Sequence, residues 1–410
     1  MRALSPDSAT LAEESTAPLA PPQGGADPGV PAGAEGAREP GAAGDVRGGF
    51  PGERRRVHVA LAGPTGMVGS TLIRLMGEKI DWLRSERHTE LTFVGAINRR
   101  QMFWSERGVS PRDAAGCLQS GIAQDWGEFI SRLSSHRGAP LLFIDCTASE
   151  EIARRYKSLL RSGIGVVTPN KIANSLDFAY YQELRRISRR SKTPYLYETT
   201  VGAATPMLET LRSLRRTGDT IHRIEGVLSG TLSYVFSAVN RGKALSLAVR
   251  EAVERGLTEP HPAIDLSGED VARKLLILVR EAGYPLERPD IDVEPLVPSE
   301  LRSIAGAGDY LREIARFDGT FAARAARSKA DGKQLTYLAR FDGTSARAGI
   351  AEVAAESQFV RLRASENAVH YYSDRHSTLP LTIQGVGAGA EVTARGVFAD
   401  VIEAALDDAA

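Results

Sequence analysis

Short runs of apolar residues alternate with segments in which apolar positions recur every three or four residues between residues 57 and 198. A short apolar run bounded by turn residues is typical of a buried strand, and the longer spacing is typical of an amphipathic helix. Strands are predicted at 57–62, 91–97, 141–145, 165–168 and 195–198, and helices at 150–161, at 177–190 and around Leu72, Ile73, Leu75 and Met76. The polar region 101–125 is expected to be irregular. This alternation predicts an α/β fold with a Rossmann-type, doubly wound parallel sheet.

A second pattern follows farther along the chain. Alternating apolar positions in 334–341 and 356–362 predict strands of a second sheet, and hence a second, α+β domain. Between the two regions, a helix is expected to begin near Gly268 and to continue to about 282. Ser267 has the position of its N-cap, and Asp270, three residues later, has that of the acid of a capping box.

Charged residues cluster at the start of that helix and in the loop before it. Glu259 and Asp265 lie in a loop with two prolines, and Asp270 and Lys274, four positions apart, share one face of the helix. A lysine among carboxylates can bind an anionic or amino-acid substrate, or deliver a proton to an oxygen that gains charge. An ordinary solvated helix face with a salt bridge contains the same residues. Periodicity does not decide between these two interpretations.

The composition narrows the class of protein. The chain of 410 residues is long enough for two domains, and Lys plus Arg equals Asp plus Glu at 51 each, so nucleic acid and membranes are not expected partners. Small molecules and further copies of the chain are therefore the expected partners. The two cysteines, Cys117 and Cys146, have neither metal-ligand nor disulfide spacing, which favours a cytoplasmic location. No apolar run reaches the roughly 18 residues that a transmembrane helix requires.

Residues 1–53 differ from the rest of the chain. They are rich in Pro, Gly and Ala and poor in large apolar side chains, so we expect a disordered tail. The tail has no continuous apolar core of the kind that a secretory signal has. Its excess of acidic over basic residues argues against an organellar transit peptide.

A glycine loop, Gly63 to Gly69, connects the first predicted strand to the first predicted helix. Strand, glycine turn and helix form the context in which a dinucleotide pyrophosphate binds at a helix N-terminus. The spacing is GxxGxxG rather than GxGxxG, and a tight structural turn is the alternative. At the end of the next strand, Arg99 and Arg100 stand where proteins that prefer NAD usually have a carboxylate, so NADP is favoured over NAD. Two ordinary surface arginines are the alternative there.

Polar residues also follow two later strands, at the edge where a parallel sheet binds its ligands. Thr147 and Ser149 follow the strand that ends at Asp145, and Asn170 and Lys171 follow the next strand. Asn170 and Lys171 can contact nicotinamide or substrate in this position. A structural asparagine turn would look the same.

Several separate blocks, in one order and spacing, make a more specific pattern. They cover 168–171, 198–206, 224–236 and 384–401, together with the opening strand and glycine loop. Over residues 57–407 the chain closely resembles the homoserine dehydrogenase family. The resemblance implies a dinucleotide-binding domain of residues 57–197 plus 385–410, and a catalytic and dimerisation domain of residues 198–384. It also implies a homodimer.

The resemblance implies reversible, NAD(P)H-dependent reduction of L-aspartate 4-semialdehyde to L-homoserine, in the route to threonine, methionine and isoleucine. Lys274 corresponds to the proton donor to the aldehyde oxygen, and Lys171 to a residue beside nicotinamide and substrate. Glu259 and Asp270 correspond to residues that hold the substrate ammonium group, and Asp265 supports them. Implied cofactor contacts are Gly63, Thr65, Gly66, Met67, Val68, Gly69, Thr147, Lys171 and Gly389. An implied site for a monovalent cation such as Na⁺ uses Glu198, Val201, Ala203 and Thr205.

The chain departs from the family pattern at a few positions. His261 stands where an acid is usual between the prolines of the substrate loop, Ile264 replaces an acid that some members have, and Val386 stands where Pro is common. His261 is expected to be an exposed loop histidine. His261 and Ile264 leave open an alternative function as a dehydrogenase of a related amino aldehyde in a specialised pathway. The long N-terminal tail leaves open a second alternative, a catalytically silent binding or regulatory relative. Because the sequence ends at Ala410, we expect no appended module for feedback inhibition.

Overall fold

The computed structural model describes residues 54–363 and 365–406. The predicted disordered tail, 1–53, lies outside the described residues, as does the end of the predicted nucleotide-binding domain, 407–410. Among the described residues, no helix combines the length and the apolar character needed to cross a lipid bilayer.

The first sheet is built from strands that lie between residues 55 and 196. They are β1 Arg55–Ala62, β2 Thr89–Ile97, β3 Gln101–Val109, β4 Ile122–Ala123, β5 Leu141–Asp145, β6 Gly165–Val167 and β7 Tyr195–Leu196. Their order across the sheet is β4-β3-β2-β1-β5-β6-β7, and every pairing from β2 to β7 is parallel. The central strands are buried on both faces, which explains the continuous apolar runs in the sequence. The predicted α/β, Rossmann-type fold is confirmed.

The helices of this part of the chain connect the strands. They are α1 Met67–Glu78, α2 Ile80–Glu86, α3 Ala114–Gln119, α4 Trp126–Ser135, α5 Glu150–Ala153, α6 Tyr156–Arg161, α7 Ile172–Ser175 and α8 Phe178–Ser191. The helix predicted at 150–161 is thus divided into α5 and α6.

The region 101–125, predicted to be irregular, contains β3, α3 and β4. The prediction was wrong because β3 and β4 lie at one edge of the sheet, where they pair antiparallel and are only partly covered. Met102 and Phe103 are buried, whereas Glu106 and Arg107 are exposed, so the segment lacks the apolar run of a central strand.

A second sheet is formed by strands that lie between residues 221 and 386. They are β8 Ile221–Val227, β9 Ile291–Val293, β10 Lys333–Phe341, β11 Ala346–Ala354, β12 Glu366–Ser373 and β13 Leu381–Val386, in the order β13-β12-β8-β10-β11-β9. The strand predicted at 334–341 is present as β10. The strand predicted at 356–362 is wrong, because residues 358–360 form a 3-10 turn in which Ser357 Oγ accepts a hydrogen bond from Phe359 N.

The remaining helices complete the fold. They are α9 Met207–Arg216, α10 Gly230–Asn240, α11 Leu245–Glu254, α12 Ala263–Leu266, α13 Glu269–Glu281, α14 Ala307–Ile314, α15 Asp318–Ala330 and α16 Ala390–Leu406. Further 3-10 turns lie at Glu198–Thr200, Arg288–Asp290, Ser299–Ser303 and Ala315–Phe317.

Helix α13 is packed between the two parts of the fold. It contacts β10 and β11 of the second sheet on one side, and α7 and α9 on the other. Its charged residues Lys274, Arg280 and Glu281 are 8%, 2% and 1% exposed, so the interpretation as a solvated helix face is wrong. Charges that are buried to this extent require specific partners.

The start of α13 differs from the predicted capping box. Gly268 is the N-cap, with φ +75°, and no side chain caps the helix. Ser267 Oγ accepts from Glu269 N, one residue earlier than a capping box requires, and the Asp270 carboxylate pairs with lysines instead. Gly268 is needed because a Cβ at this position would lie 1.9 Å from the hydroxyl oxygen of Tyr337.

We expect Gly268→Ala to destabilise the protein more than Gly163→Ala. The two glycines have nearly equal φ angles, +75° and +77°, so both alanines would carry the left-handed cost of about 1–2 kcal/mol. Only at Gly268 would the methyl group also displace Tyr337, whose hydroxyl donates to Glu294 O and Ala348 O. Urea unfolding should show an additional loss of about 1–3 kcal/mol. Equal losses in the two variants would contradict this account of the helix start.

Candidate active site

The carboxyl ends of β1, β5 and β6 lie along one edge of the first sheet, and the segments that follow them meet there. Gly63 follows β1, and a Cβ at Gly63 would lie 2.9 Å from Cys146 O and 3.1 Å from Thr147 Cγ2. The structure therefore brings Thr147 beside the glycine loop. Lys171 follows β6 and begins α7 at the same edge.

The glycine loop has the close contacts that a phosphate-binding turn needs. Gly63 has φ +80°, and a Cβ at Gly69 would lie 2.2 Å from Gly63 O. Gly66 is the N-cap of α1, and no side chain in the described part of the chain caps this N-terminus. Thr65 and Met67 are exposed and Val68 is half-buried. This exposed, uncapped helix start fits the pyrophosphate of a dinucleotide, because its N–H groups and partial positive charge are available to an anion.

Arg99 and Arg100 form the central pair of the tight turn that links β2 to β3. Asn98 Oδ1 holds the turn by accepting from Arg100 N at 2.7 Å and from Gln101 N at 2.8 Å. Both arginine side chains are exposed, and neither makes an ion pair or hydrogen bond with the residues that the structure describes. They are therefore available to a phosphate on a bound ribose.

Helix α16 returns to the first sheet and packs on α1. Arg55, at the start of β1, donates to Leu406 O at 3.2 Å, so the C-terminus of α16 lies at the end of the sheet where β1 begins. Arg74 of α1 pairs with Glu391 in the first turn of α16 at 2.5 Å. Gly389, with φ +123°, immediately precedes α16 and so lies towards the edge where β1 ends, the edge of the glycine loop.

Two lysines from different parts of the chain meet at one carboxylate. Lys171 Nζ is 3.3 Å from Asp270 Oδ1, and Lys274 Nζ is 2.8 Å from Asp270 Oδ2. Lys274 also donates to the main-chain oxygen of Leu228 at 2.7 Å. Sequence patterns give no signal for the Leu228 contact, because its acceptor is a main-chain atom.

Charge keeps this cluster together. Burial raises the pKa of Asp270, but the ammonium groups of Lys171 and Lys274 outweigh this effect and hold the pKa well below its ordinary value. The Asp270 side chain remains 46% exposed, whereas the Lys274 side chain is 11% exposed. The cluster therefore presents a charged carboxylate to solvent and an amine that is almost enclosed by protein.

The other predicted substrate residues lie near this cluster. Asp265 Oδ2 accepts from Glu259 N at 2.9 Å, and Asp265 Oδ1 accepts from Thr231 Oγ1 at 3.0 Å. Burial raises the pKa of Asp265 in spite of these hydrogen bonds, and the charges of Glu259 and Asp270 raise it further. Glu259 itself is exposed. The loop thus carries an excess of negative charge beside Asp270.

His261 is not the exposed loop histidine that the sequence predicted. Its Nε2 donates to Ile304 O at 2.9 Å, its Nδ1 accepts from Ala263 N at 3.3 Å, and its ring packs 5.1 Å from that of Tyr310. This pattern requires the neutral Nε2–H tautomer. The histidine anchors the loop that carries Glu259 and Asp265, and Ile264 in the same loop is 54% exposed.

A buried network lies at the far end of α13, around Glu281, and was not predicted from the sequence. The Glu281 carboxylate accepts from Tyr181, Arg185, Tyr197 and Arg212. Burial raises the pKa of Glu281, but the two guanidinium groups outweigh it and lower the pKa below its ordinary value. The sequence signal for this burial was a pair of opposite charges, Arg280 and Glu281, directly after an apolar stretch of the helix.

Arg280 connects α13 to α7, the short helix that begins after Lys171. Its Nη1 donates to Asn174 O at 2.9 Å and to Leu176 O at 2.7 Å, and its Nε donates to Leu286 O. Arg280 Nη2 pairs with Glu287 at 2.9 Å. Two points on α7 are therefore held by α13, Lys171 at one end and the last carbonyls at the other.

The residues of the predicted cation site surround the turn after Glu198. Gly202 and Ala203 both have positive φ, and Thr205 N donates to Gly202 O at 2.9 Å. Glu198 accepts from Leu208 N and lies 3.3 Å from Arg212, and burial raises its pKa to about 7. Carboxylate and main-chain oxygens are the ligand types that a hard cation takes, and Glu198 and the turn that follows it contain both types. No group of three or more His, Cys, Asp or Glu side chains within the described ranges is arranged to hold a metal ion.

Comparison with known proteins places this site in a family. The family model described as homoserine dehydrogenase matches residues 206–402, and the model described as the homoserine dehydrogenase NAD binding domain matches residues 65–198. A bifunctional aspartokinase/homoserine dehydrogenase of Haemophilus influenzae is 36% identical over 350 residues, which cover 85% of this chain and 43% of that protein. The chain thus spans less than half the length of such bifunctional relatives.

Shorter relatives match over most of their length. A homoserine dehydrogenase of Emericella nidulans is 38% identical over 288 residues, which cover 67% of this chain and 78% of that protein. A crystal structure of a Candida auris protein of unknown function has a TM-score of 0.78 and 33% identity to this chain, and the match covers 86% of this chain and 98% of that one. From these matches, the chain belongs to the homoserine dehydrogenase family.

Proposed function

We propose that this protein catalyses the reversible, NAD(P)H-dependent reduction of L-aspartate 4-semialdehyde to L-homoserine, in the route to threonine, methionine and isoleucine. The observation that carries the proposal is the meeting of Lys171, Asp270 and Lys274 where the first sheet ends, in a member of this family. The alternative substrate, a related amino aldehyde, was suggested by His261 and Ile264, the two departures from the family pattern in this loop. His261 is engaged by Ile304 O, and no contact of either residue favours that alternative.

Lys274 would deliver the proton. Its amine is held between Asp270 and Leu228 O, which fixes its direction, and it is almost enclosed by protein, so competing proton transfer from water is limited. A bound nicotinamide supplies the hydride. As negative charge develops on the aldehyde oxygen, the ammonium of Lys274 stabilises it and then gives up a proton. Lys171, at the other oxygen of Asp270, would orient the same substrate end.

The substrate ammonium group would bind to the carboxylates. Two lysines already balance Asp270, whereas Glu259 and Asp265 contribute negative charge without a cationic partner among the described contacts. Burial is the main cause of the raised pKa of Asp265, and repulsion from Glu259 and Asp270 adds to it; a cationic ligand would offset both effects. This is why an amino aldehyde suits the loop better than an aldehyde without an amine.

We expect purified protein to reduce NADP in the presence of L-homoserine, and Lys274→Met to lower kcat by about 10²–10⁴-fold because the proton donor is lost. Binding of NADPH, measured by protein fluorescence, should change little. Lys157→Met is a matched control. Lys157 lies on α6, and its amine pairs at 2.6 Å with Glu183 of α8 rather than with a residue of the proposed site.

An unchanged kcat in Lys274→Met would remove the role assigned to Lys274. A wild-type protein without turnover would remove the proposed function and favour the catalytically silent alternative. A higher kcat/KM for another amino alcohol than for homoserine would favour the specialised-pathway alternative.

We propose NADP as the preferred cofactor, with Gly63, Thr65, Gly66, Met67, Val68, Gly69, Thr147, Lys171 and Gly389 as further contacts. The preference is supported by the two exposed, unengaged arginines in the turn after β2. A guanidinium pair at this position suits the ribose 2′-phosphate.

Replacing Arg99 and Arg100 together by Ser should raise the KM for NADP at least about tenfold, the loss expected for charge-assisted hydrogen bonds of about 1.5–3 kcal/mol. The KM for NAD should stay nearly constant, because NAD has no 2′-phosphate. Arg107→Ser is the control, because Arg107 is also exposed but lies on β3. An equal change in both KM values would show that the arginines do not select the cofactor.

We also propose a monovalent cation such as Na⁺ at Glu198, with main-chain oxygens of Val201 and Ala203 and with Thr205. The support is the buried carboxylate, whose charge Arg212 at 3.3 Å balances in part. A bound cation would stabilise the turn that joins β7 to α9.

Addition of Na⁺ should raise the melting temperature of the wild type above that in tetramethylammonium at equal ionic strength, because ligands of the folded state stabilise it. Glu198→Gln should abolish this difference, whereas Glu209→Gln, which removes a more exposed carboxylate near Arg212, should retain it. A wild type that responds equally to both salts would exclude the site.

The assembly and the domain roles are further proposals. Residues 57–197 plus 385–410 would bind the nucleotide, and residues 198–384 would form the catalytic and dimerisation domain of a cytoplasmic homodimer. We place the two-fold interface within this second part of the chain, without assigning it to particular residues. Sedimentation velocity would report a monomer if the proposal were wrong.

A further inference from the structure

Besides the partly exposed Asp270, a fully buried carboxylate lies at the same edge of the first sheet and has no role in the chemistry described above. Asp145 is the last residue of β5 and is fully buried. Its Oδ1 accepts from Thr147 N at 2.8 Å, and its Oδ2 accepts from Tyr156 Oη at 2.5 Å and from Asn170 Nδ2 at 3.1 Å. All three hydrogen bonds are donated to the carboxylate.

Two of these donors belong to the segments that form the proposed site. Thr147 lies beside the glycine loop, and Asn170 directly precedes Lys171. The Asn170 side chain also donates to Ser149 O at 3.1 Å and accepts from Ile172 N at 3.0 Å. The amide of Asn170 is therefore fixed on both sides, and with it the main chain on either side of Lys171.

The contacts explain why this position holds an aspartate. Oδ2 serves two donors and Oδ1 serves a third, so two acceptor oxygens are needed. An asparagine has one acceptor oxygen and would turn an N–H towards Asn170 Nδ2. A carboxylate in an apolar interior is costly, and an apolar side chain would fill this space at less cost if packing were the whole requirement.

We propose that Asp145 is a positioning residue, which sets Thr147 on the cofactor side and Lys171 on the substrate side at a fixed separation. The alignment of the hydride donor with the aldehyde then depends on one carboxylate that touches neither. The inference rests on the proposed function for its catalytic readout, but the placement of Lys171 can be measured without turnover.

The central variant is Asp145→Asn. It keeps an acceptor for Thr147 N but leaves Asn170 Nδ2 facing an N–H group, so the Lys171 segment should loosen. We expect kcat to fall by about 10–100-fold, the scale of loss for a misplacement near 1 Å, with a smaller change in the KM for homoserine.

The double variant Asp145→Asn with Asn170→Asp exchanges the two groups and restores a donor facing an acceptor. It should recover several-fold of the lost kcat, and recovery stays partial because Ser149 O loses its donor. Tyr156→Phe is the matched control. It removes a hydrogen bond to the same Asp145 oxygen. Tyr156 reaches the Lys171 segment only through the Thr168 hydroxyl, which keeps its own hydrogen bonds to Asp145 O and from Asn170 N. The variant should therefore lower the melting temperature and leave kcat within about threefold.

Trace acetylation followed by mass spectrometry gives a readout that does not need activity. In Asp145→Asn the amine of Lys171 should react several-fold faster than in the wild type, because its pairing with Asp270 is weakened, and in Tyr156→Phe it should not. Because labelling is independent of turnover, a wild type without dehydrogenase activity would remove the proposed function and leave this part of the inference testable.

Three results would overturn the inference. The first is an Asp145→Asn variant with kcat within twofold of the wild type and unchanged Lys171 labelling. The second is an equal loss of kcat in Asp145→Asn and Tyr156→Phe without recovery in the double variant, which would indicate a stability role. If Asp145→Asn does not fold, Asn170→Ala removes the same hydrogen bond by deleting its donor. The third overturning result is unchanged Lys171 labelling in Asn170→Ala.

Discussion

The ion pairs of Asp270 are the interaction on which the site depends. One carboxylate binds an amine from the edge of the first sheet and an amine from its own helix, so two distant segments share one geometry. Mutual repulsion would separate the two lysines without the acid between them. The pair with Lys274 is the better shielded of the two, because the Lys274 side chain is nearly enclosed, whereas Lys171 and Asp270 are both partly exposed and their pair is screened more by water.

Helix α13 is held by charged residues at both of its ends. Its first turns carry Asp270 and Lys274, and its last turn carries Arg280 and Glu281, all with partners on other elements. Loss of one partner from a buried ion pair costs about 3–5 kcal/mol, because the other charge is left uncompensated. The helix is consequently fixed in rotation and in translation. A helix held in this way keeps the Lys274 amine in one direction relative to Asp270 and Leu228 O.

Much of this arrangement could be predicted from the sequence. The central strands are buried on both faces and so appear as apolar runs, and the glycine loop lies between a clear strand and a clear helix. The edge strands β3 and β4 were missed because partial exposure mixes polar residues into them. The turn near Phe359 imitated a strand because alternation over a few residues does not distinguish the two.

The site was only partly predictable for a related reason. Spacing along a helix placed Asp270 and Lys274 together, but the contacts of His261, Leu228 and Glu281 depend on tertiary neighbours that no local pattern contains. The capping box at Ser267 failed because Tyr337 excludes any residue except glycine from the next position, which moves the helix start. Family resemblance supplied the roles of residues whose partners the sequence does not show.

The two attachments between α7 and α13 have a mechanical consequence. Lys171 is tied to Asp270 at the start of α7, and Arg280 grips the carbonyls of Asn174 and Leu176 at its end. The separation of the two amines is therefore set by α7 and α13 together. Because neither of these helices carries the glycine loop, we expect any adjustment to a bound nucleotide on the side of α1 and α16, which are joined to each other through Arg74 and Glu391 at the surface. Such an adjustment would leave the positions of Lys171 and Lys274 unchanged.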